Sequence, residues 1–299
     1  MSEDPTDIFD SSLSSLFSIA PIGFSPSSDD GYYTYHLPSP PSSSSPSSVS
    51  PLTPSIRSIR LKLPQPPPSL YTTLQAQLIW PSAIYLADLL SKEIIDVKGK
   101  RIVELGSAAG LPGIISSIQG CQHVVSTDYG VEEVLSVLKD NFSEATAHTQ
   151  AHGQQTNNWK VLGHCWGDDV KPLLSASSPS PDPTIGSSIL TNDRKDNGKF
   201  DVVLAADVLW TTSSHSLLLD SITALISEGG IAHITAGLHT GRGPIERFIA
   251  SAEEKGFKVT SKGEVRLISD REWEEYNENM GKIGEEERGV VLWLTLESI

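Results

Sequence analysis

The segment from Lys100 to Gln119 constrains this chain most. A buried strand, Lys100 to Leu105, passes through the small-residue turn Gly106 to Gly110 straight into a helix over Pro112 to Gln119. The alternation continues downstream. Strands are expected at His123 to Thr127, Trp159 to His164, Phe200 to Ala206 and Ile231 to Ala236, with helices at Val131 to Asn141, Ser214 to Ser227 and Pro244 to Lys255. A helix is expected before them at Ala76 to Leu90. Strands Phe257 to Leu267 and Gly289 to Glu297 close the chain around an acidic, aromatic helix at about Ser269 to Met280. Strands alternating with helices imply parallel strands joined by helical crossovers. The expected fold is therefore α/β, a doubly wound, mostly parallel sheet of seven strands with helices on both faces.

The domain is expected to run over 56–299. Residues 1–55 are dominated by Ser and Pro and bury too little apolar surface to offset the entropy of ordering, so they read as a mostly disordered tail. Tyr32 to Leu37 and Ile56 to Leu63 are exceptions, because their partial alternation suits an accessory hairpin. A second Ser/Pro/Asp/Asn-rich stretch, about 175–199, reads as a disordered surface insertion.

Charge and cysteine content narrow the chemistry. With 22 basic against 37 acidic residues, a net charge of -15, the chain repels a polyphosphate backbone, so nucleic acid is not an expected partner. Two distant cysteines, Cys121 and Cys165, offer neither a disulfide framework nor a zinc site, and no metal is expected. The N-terminus shows no basic region followed by an apolar run, and no run of about 18 apolar residues occurs, so the expected compartment is the cytoplasm, with the nucleus as a second, and no membrane contact is expected; a monomer is a separate expectation.

The turn Gly106 to Gly110 lies where open α/β sheets bind ligands, and Asp128, about 20 residues on at the end of the next strand, can accept both ribose hydroxyls of an adenosine ligand. Taken alone, two glycines mark only a tight turn. A dinucleotide loop would need Gly at position 108, where Ala108 stands, and no Walker-type lysine follows. Glu104, Asp128 and Asp207 instead form an acidic set that favours a cationic ligand, such as a sulfonium, over a pyrophosphate.

Val103 to Gly113, with Leu78-Ile79-Trp80-Pro81 before it and Thr127-Asp128, Trp166-Gly167 and Ala206-Asp207-Val208-Leu209-Trp210 after it, resembles the seven-β-strand lysine methyltransferase family (methyltransferase family 16). Within that family it is most similar to the fungal nicotinamide N-methyltransferase-like branch, some of whose members methylate elongation factor 1-alpha. The resemblance implies a class I Rossmann-like methyltransferase using S-adenosyl-L-methionine as cofactor. It places Trp80, Glu104, Gly106, Ser107, Gly110, Asp128, Trp166 and Ala206 around the cofactor, and Asp207 and Trp210 at the methyl acceptor. Trp210 stands where the family carries Tyr or Phe, which keeps an aromatic wall and loses a phenol. The implied activity is N-methylation of lysine on a protein such as elongation factor 1-alpha. The alternatives are a nicotinamide-type small amine as acceptor, or an inactive cofactor-binding interaction module.

Several of these residues have plainer readings. Trp80 and Trp166 suit core packing as well as ligand stacking, Asp207 could cap a helix, and Asp128 could belong to a turn. Leu238 to Arg242 reads as a plain loop, with His239 and Arg242 as lesser candidates for substrate contact. Cys165 reads as a small buried side chain, and Glu285-Glu286-Glu287 as a solvated turn.

Overall fold

A computed structural model describes residues 22–23, 31–38, 57–150, 158–177, 197–269, 272–277 and 289–298. Most of the expected tail, most of the 175–199 insertion and the Glu285 to Glu287 run lie outside these residues. The strands, in chain order, are β1 (Ile22–Gly23), β2 (Tyr32–His36), β3 (Ser58–Lys62), β4 (Leu78–Ile79), β5 (Arg101–Leu105), β6 (His123–Asp128), β7 (Trp159–Gly163), β8 (Phe200–Ala206), β9 (Ile226–Gly237), β10 (Phe257–Ser269), β11 (Glu272–Glu275) and β12 (Val290–Ser298).

Eight of them form the central sheet, in the order β11-β10-β12-β9-β8-β5-β6-β7. The five from β7 to β9 in that order are mutually parallel, while β12, β10 and β11 add an antiparallel edge. The chain winds outward from β5 through β6 to β7, then returns to lay β8 against the other side of β5. Strand order therefore reverses between β5 and β8. The loops leaving those two strands diverge, and a crevice opens at their carboxyl ends, where sheets of this kind bind ligands.

Side chains alternate across each strand and so separate two cores. Val103, Leu105, Val203 and Ala205 face the layer that holds helices His215–Leu225 and Arg242–Glu254. Ile102, Val202 and Leu204 face the opposite layer, which holds helices Pro81–Ser91, Leu111–Ile118 and Glu132–Gln150. The accessory hairpin expected from the sequence forms: β2 pairs antiparallel with β3, burying Tyr33, Tyr35, Ile59 and Leu61 on one face. It is tied down by polar contacts as well. The Tyr35 hydroxyl donates to Asp88 Oδ1 at 2.8 Å, and the Asn141 amide pairs with both the N–H (2.8 Å) and the C=O (2.9 Å) of Lys62 while donating to the Ala109 carbonyl (2.9 Å).

Two expectations are corrected. The helix expected over Ala76 to Leu90 begins only at Pro81; before it come a helical turn, Tyr71–Leu74, and the short strand β4. Pro81 disfavours helical geometry in the residue before it, and Trp80 is extended at φ −84°, ψ 145°. The helix expected at about Ser269 to Met280 is instead β11 over Glu272–Glu275, paired with β10, so the sheet has eight strands rather than seven; residues 270–271 and 278–280 lie outside the described residues. Local Glu content favours a helix there, but tertiary contacts override it. Trp273 packs on Tyr85 and donates its indole N–H to Asp88 Oδ2 at 2.9 Å. Smaller differences occur at element ends: the helix expected at Val131 to Asn141 continues to Gln150, and the strand expected from Ile231 starts at Ile226. Among the described residues, no helix is long and apolar enough to cross a membrane.

Candidate functional site

All ten residues that the resemblance places at the cofactor and the methyl acceptor line one cavity, of about 520 Å³, at the crevice between β5 and β8. On one side the chain leaves β5 through Gly106 and enters helix Leu111–Ile118 at Gly110, both with left-handed backbones of φ +76° and +85°. Ala108, between them, is also left-handed, at φ +46°. An alanine is tolerated there although the backbone has positive φ, a cost of about 1 kcal/mol for a residue with a Cβ. The conformation is held because the Ala108 N–H donates to Asp128 Oδ2 at 2.7 Å. Ala108→Gly would remove that cost and add about 0.7 kcal/mol of unfolded-chain entropy. The melting temperature is therefore expected to shift by less than about 2 °C, which calorimetry would check.

Glu104 points from β5 into the buried layer beneath that helix. Gly113 makes this close approach feasible, because a Cβ there would collide with Ser126 Oγ and Glu104 Oε2. The Ser126 hydroxyl donates to Glu104 Oε2 at 2.7 Å. Burial outweighs this help and pushes the Glu104 carboxyl up to about 7. Asp128 is also raised by burial, against the N–H groups of Ala108 and Tyr129 that donate to it. Ser107 Oγ accepts from the Thr127 N–H at 3.1 Å, fastening the turn to β6.

Across the cavity, β8 ends at Ala206, and Asp207 turns the chain with φ +56°. Five non-glycine residues among those described have positive φ, and three of them, Gln75, Ala108 and Asp207, line this cavity. Such strain persists where the surroundings over-determine a geometry, often at functional sites. Asp207 Oδ1 is 2.9 Å from His239 Nε2 and accepts the Gly237 N–H at 3.3 Å. Burial alone would raise the Asp207 carboxyl, but the His239 charge and hydrogen bond hold it below the usual range. Reciprocally, burial would lower His239, but Asp207 holds it above the ordinary imidazole value. The acidic set inferred from the sequence is thus less negative than three free carboxylates: burial pushes Glu104 up to about 7, and Asp207 is matched by His239.

Half-buried Trp80, Trp166 and Trp210 supply aromatic walls. Trp80 donates its indole N–H to the Gln75 carbonyl at 3.4 Å and stacks on His239, centroids 5.0 Å apart at 29°. Leu238–Thr240, expected as a plain loop, is a short 3-10 turn whose His239 is part of this arrangement. Its position was the available signal: Asp207 and His239 each follow the carboxyl end of one of two adjacent parallel strands. Arg242, the other candidate on that segment, forms a two-pronged ion pair with Glu264 (2.7 and 2.9 Å). His164, which the sequence reading passed over, also lines the cavity and pairs through Nε2 with Ser221 Oγ at 3.1 Å. Cys165 is half-buried and lines the cavity rather than the core.

Residues 72–179 match the lysine methyltransferase family. Over 200 residues the chain is 30% identical to the protein N-terminal and lysine N-methyltransferase EFM7 of Gibberella zeae, covering 64% of this chain and 70% of that one. It is 32% identical over 158 residues to the protein of the same name from Debaryomyces hansenii, covering 52% and 55% of the two chains. It spans about half the length of that relative and of the one from Schizosaccharomyces pombe. Among solved structures it is similar to a TehB-like SAM-dependent methyltransferase from Corynebacterium glutamicum, with TM-score 0.45, 15% identity, and 77% and 95% of the two chains covered. With this sequence match and the cavity it frames, the chain belongs to the lysine methyltransferase family and is a methyltransferase with S-adenosylmethionine as its cofactor.

Proposed function

We propose that the protein methylates an amino group of a polypeptide, a lysine side chain or a chain N-terminus, and that a translation elongation factor of the 1-alpha type is its substrate. The observation that carries this reading is the two-sided cavity. One side is the β5 turn with Glu104, Gly106, Ser107, Gly110 and Asp128; the other is Ala206, Asp207 and Trp210 at the end of β8. Its volume suits a nucleoside-sized ligand with room left for an acceptor. Exposed Thr72, Thr73, Tyr129 and Leu217 lie on its lining, so it opens to the surface, as a polypeptide acceptor requires. The EFM7 relatives bear the name of protein N-terminal and lysine methyltransferases, which supports an amine on a protein over a free small amine. We assign 56–299 as the catalytic domain.

The residues present fit S-adenosylmethionine. Glycines at 106 and 110 allow close backbone approach, Asp128 has lone pairs left for ribose hydroxyls, and buried Glu104, which lacks a cationic partner among its charge and hydrogen-bond contacts, suits the positive end of the ligand. Trp166 and Trp80 flank it. When bound, S-adenosylmethionine supplies an electrophilic methyl group on sulfur. The chain has to align an amine lone pair with that methyl and keep water away, which the tryptophan walls and the Asp207 turn are placed to do.

Asp207→Ala should therefore lower turnover by about a hundredfold or more while S-adenosylhomocysteine affinity falls by no more than about tenfold. The assay is transfer from radiolabelled cofactor to a fungal lysate and to purified elongation factor 1-alpha. A labelled band at the elongation factor supports the reading. Label confined to small molecules, or an Asp207→Ala enzyme as fast as wild type, would refute it.

A further inference from the structure

The polar side chain the sequence made least of occupies the most constrained place in the pocket wall. His239 lies between two residues that line the cavity, its Nε2 2.9 Å from Asp207 Oδ1 and its ring stacked on the Trp80 indole. Both side chains of the pair are largely buried, at 9% exposure for His239 and 5% for Asp207. The three residues come from three separate elements: the start of helix Pro81–Ser91, the end of β8, and the turn after β9. Asp207 is strained, and its carboxylate is held by His239, by the Gly237 N–H and by the adjacent Ser82 hydroxyl, of which only His239 can carry charge.

Building on the function proposed above, we propose that His239 is a positioning residue: by bridging Asp207 to the Trp80 indole it locks the β8 turn and the tryptophan wall into one geometry. An imidazolium over an indole face is favoured electrostatically, and a carboxylate behind the imidazolium keeps it charged. Asp207 acts on His239 through both its charge and its hydrogen bond, and Arg242, three residues on, is paired with Glu264. Trp80 also carries the hydrogen bond to Gln75, so the same lock reaches the segment Thr72 to Gln75 that forms another part of the lining. The geometry of the pocket should follow the protonation of one histidine that need not touch the ligand.

The test reads Trp80 directly. In the full chain without cofactor, the indole N–H resonance of Trp80, assigned by its loss in Trp80→Phe, is followed by nuclear magnetic resonance from pH 5 to 9. It is expected to move in one step with a midpoint above the ordinary histidine value of about 6.5. The step should vanish in His239→Gln and shift to lower pH in Asp207→Asn. Calorimetry at pH 6.5 should show S-adenosylhomocysteine affinity about tenfold weaker in His239→Gln. The double variant His239→Phe with Asp207→Asn, which keeps a ring over the indole but cannot hydrogen-bond to position 207, should stay about as weak as His239→Gln, and its recovery to within about threefold of wild type would count against the bridge. A flat Trp80 resonance, a step that survives in His239→Gln, or undiminished affinity in that variant would overturn the proposal. If His239→Gln does not fold, the wild-type and Asp207→Asn titrations decide. Wild-type protein that binds no S-adenosylhomocysteine would instead defeat the cofactor assignment, and the Trp80 titration would still judge His239.

Discussion

Replacing Glu104 with Gln is expected to stabilise the cofactor-free protein by about 2 kcal/mol at pH 8, and to make it slightly less stable near pH 4.5. Glu104 titrates at about 7 in the folded chain against an ordinary 4.5. The folded state therefore holds its proton more tightly than the unfolded state does. The resulting penalty is absent below 4.5, grows as pH rises, and is complete above 7, where it amounts to about 3 kcal/mol. Gln keeps the shape and still accepts from Ser126, but its amide hydrogens are incompletely matched, which costs about 1 kcal/mol at every pH. The melting temperature at pH 8 should rise by about 4–8 °C and the difference should change sign on acidification. S-adenosylmethionine affinity should fall by about tenfold or more, because the carboxylate that suits a cation is gone. Melting curves that shift equally at pH 5 and 8 would contradict this account. Stability lost to a buried carboxylate and recovered on ligand binding is a common exchange at functional sites.

The second large effect is steric. Gly110→Ala is expected to destabilise the fold by about 3–4 kcal/mol. A Cβ at this left-handed position would collide with Leu138 Cδ1 and stand 3.1 Å from Phe142 Cε2, both on fully buried side chains. The backbone term is about 1–2 kcal/mol and overpacking adds about 1–3. Gly120→Ala is the control: its φ is nearly the same, +83°, but nothing lies within 4 Å of its Cβ, so only the backbone term applies. The difference between the two variants in denaturant titrations isolates the packing contribution. Equal losses would show that Leu138 and Phe142 relax freely.

The strand, turn and helix around Gly106 could be read from the sequence because their signals are local: apolar residues, small residues and a proline inside a dozen positions. The same holds for the hairpin, where alternation alone separated buried Tyr33, Tyr35, Ile59 and Leu61 from their exposed neighbours. What local signals could not supply was long-range pairing. Asp207 and His239 are 32 residues apart and meet only because β8 and β9 are neighbours. Glu272–Glu275 has helical composition and becomes a strand because Trp273 reaches Asp88, 185 residues away in sequence. The charge argument from three carboxylates needed burial and partners to be known, and these push the Glu104 carboxyl up to about 7 and match Asp207 with a histidine.

The Asn141 amide joins two otherwise unrelated pieces of chain, Lys62 at the end of the hairpin and Ala109 inside the glycine turn. A protein trimmed back to the first strand of its central sheet would leave that amide half-satisfied and the turn braced from one side only. The appendage upstream of the sheet is thereby a strut for the ligand loop, and trimming it would be felt about 50 residues away, in how firmly that loop keeps its shape.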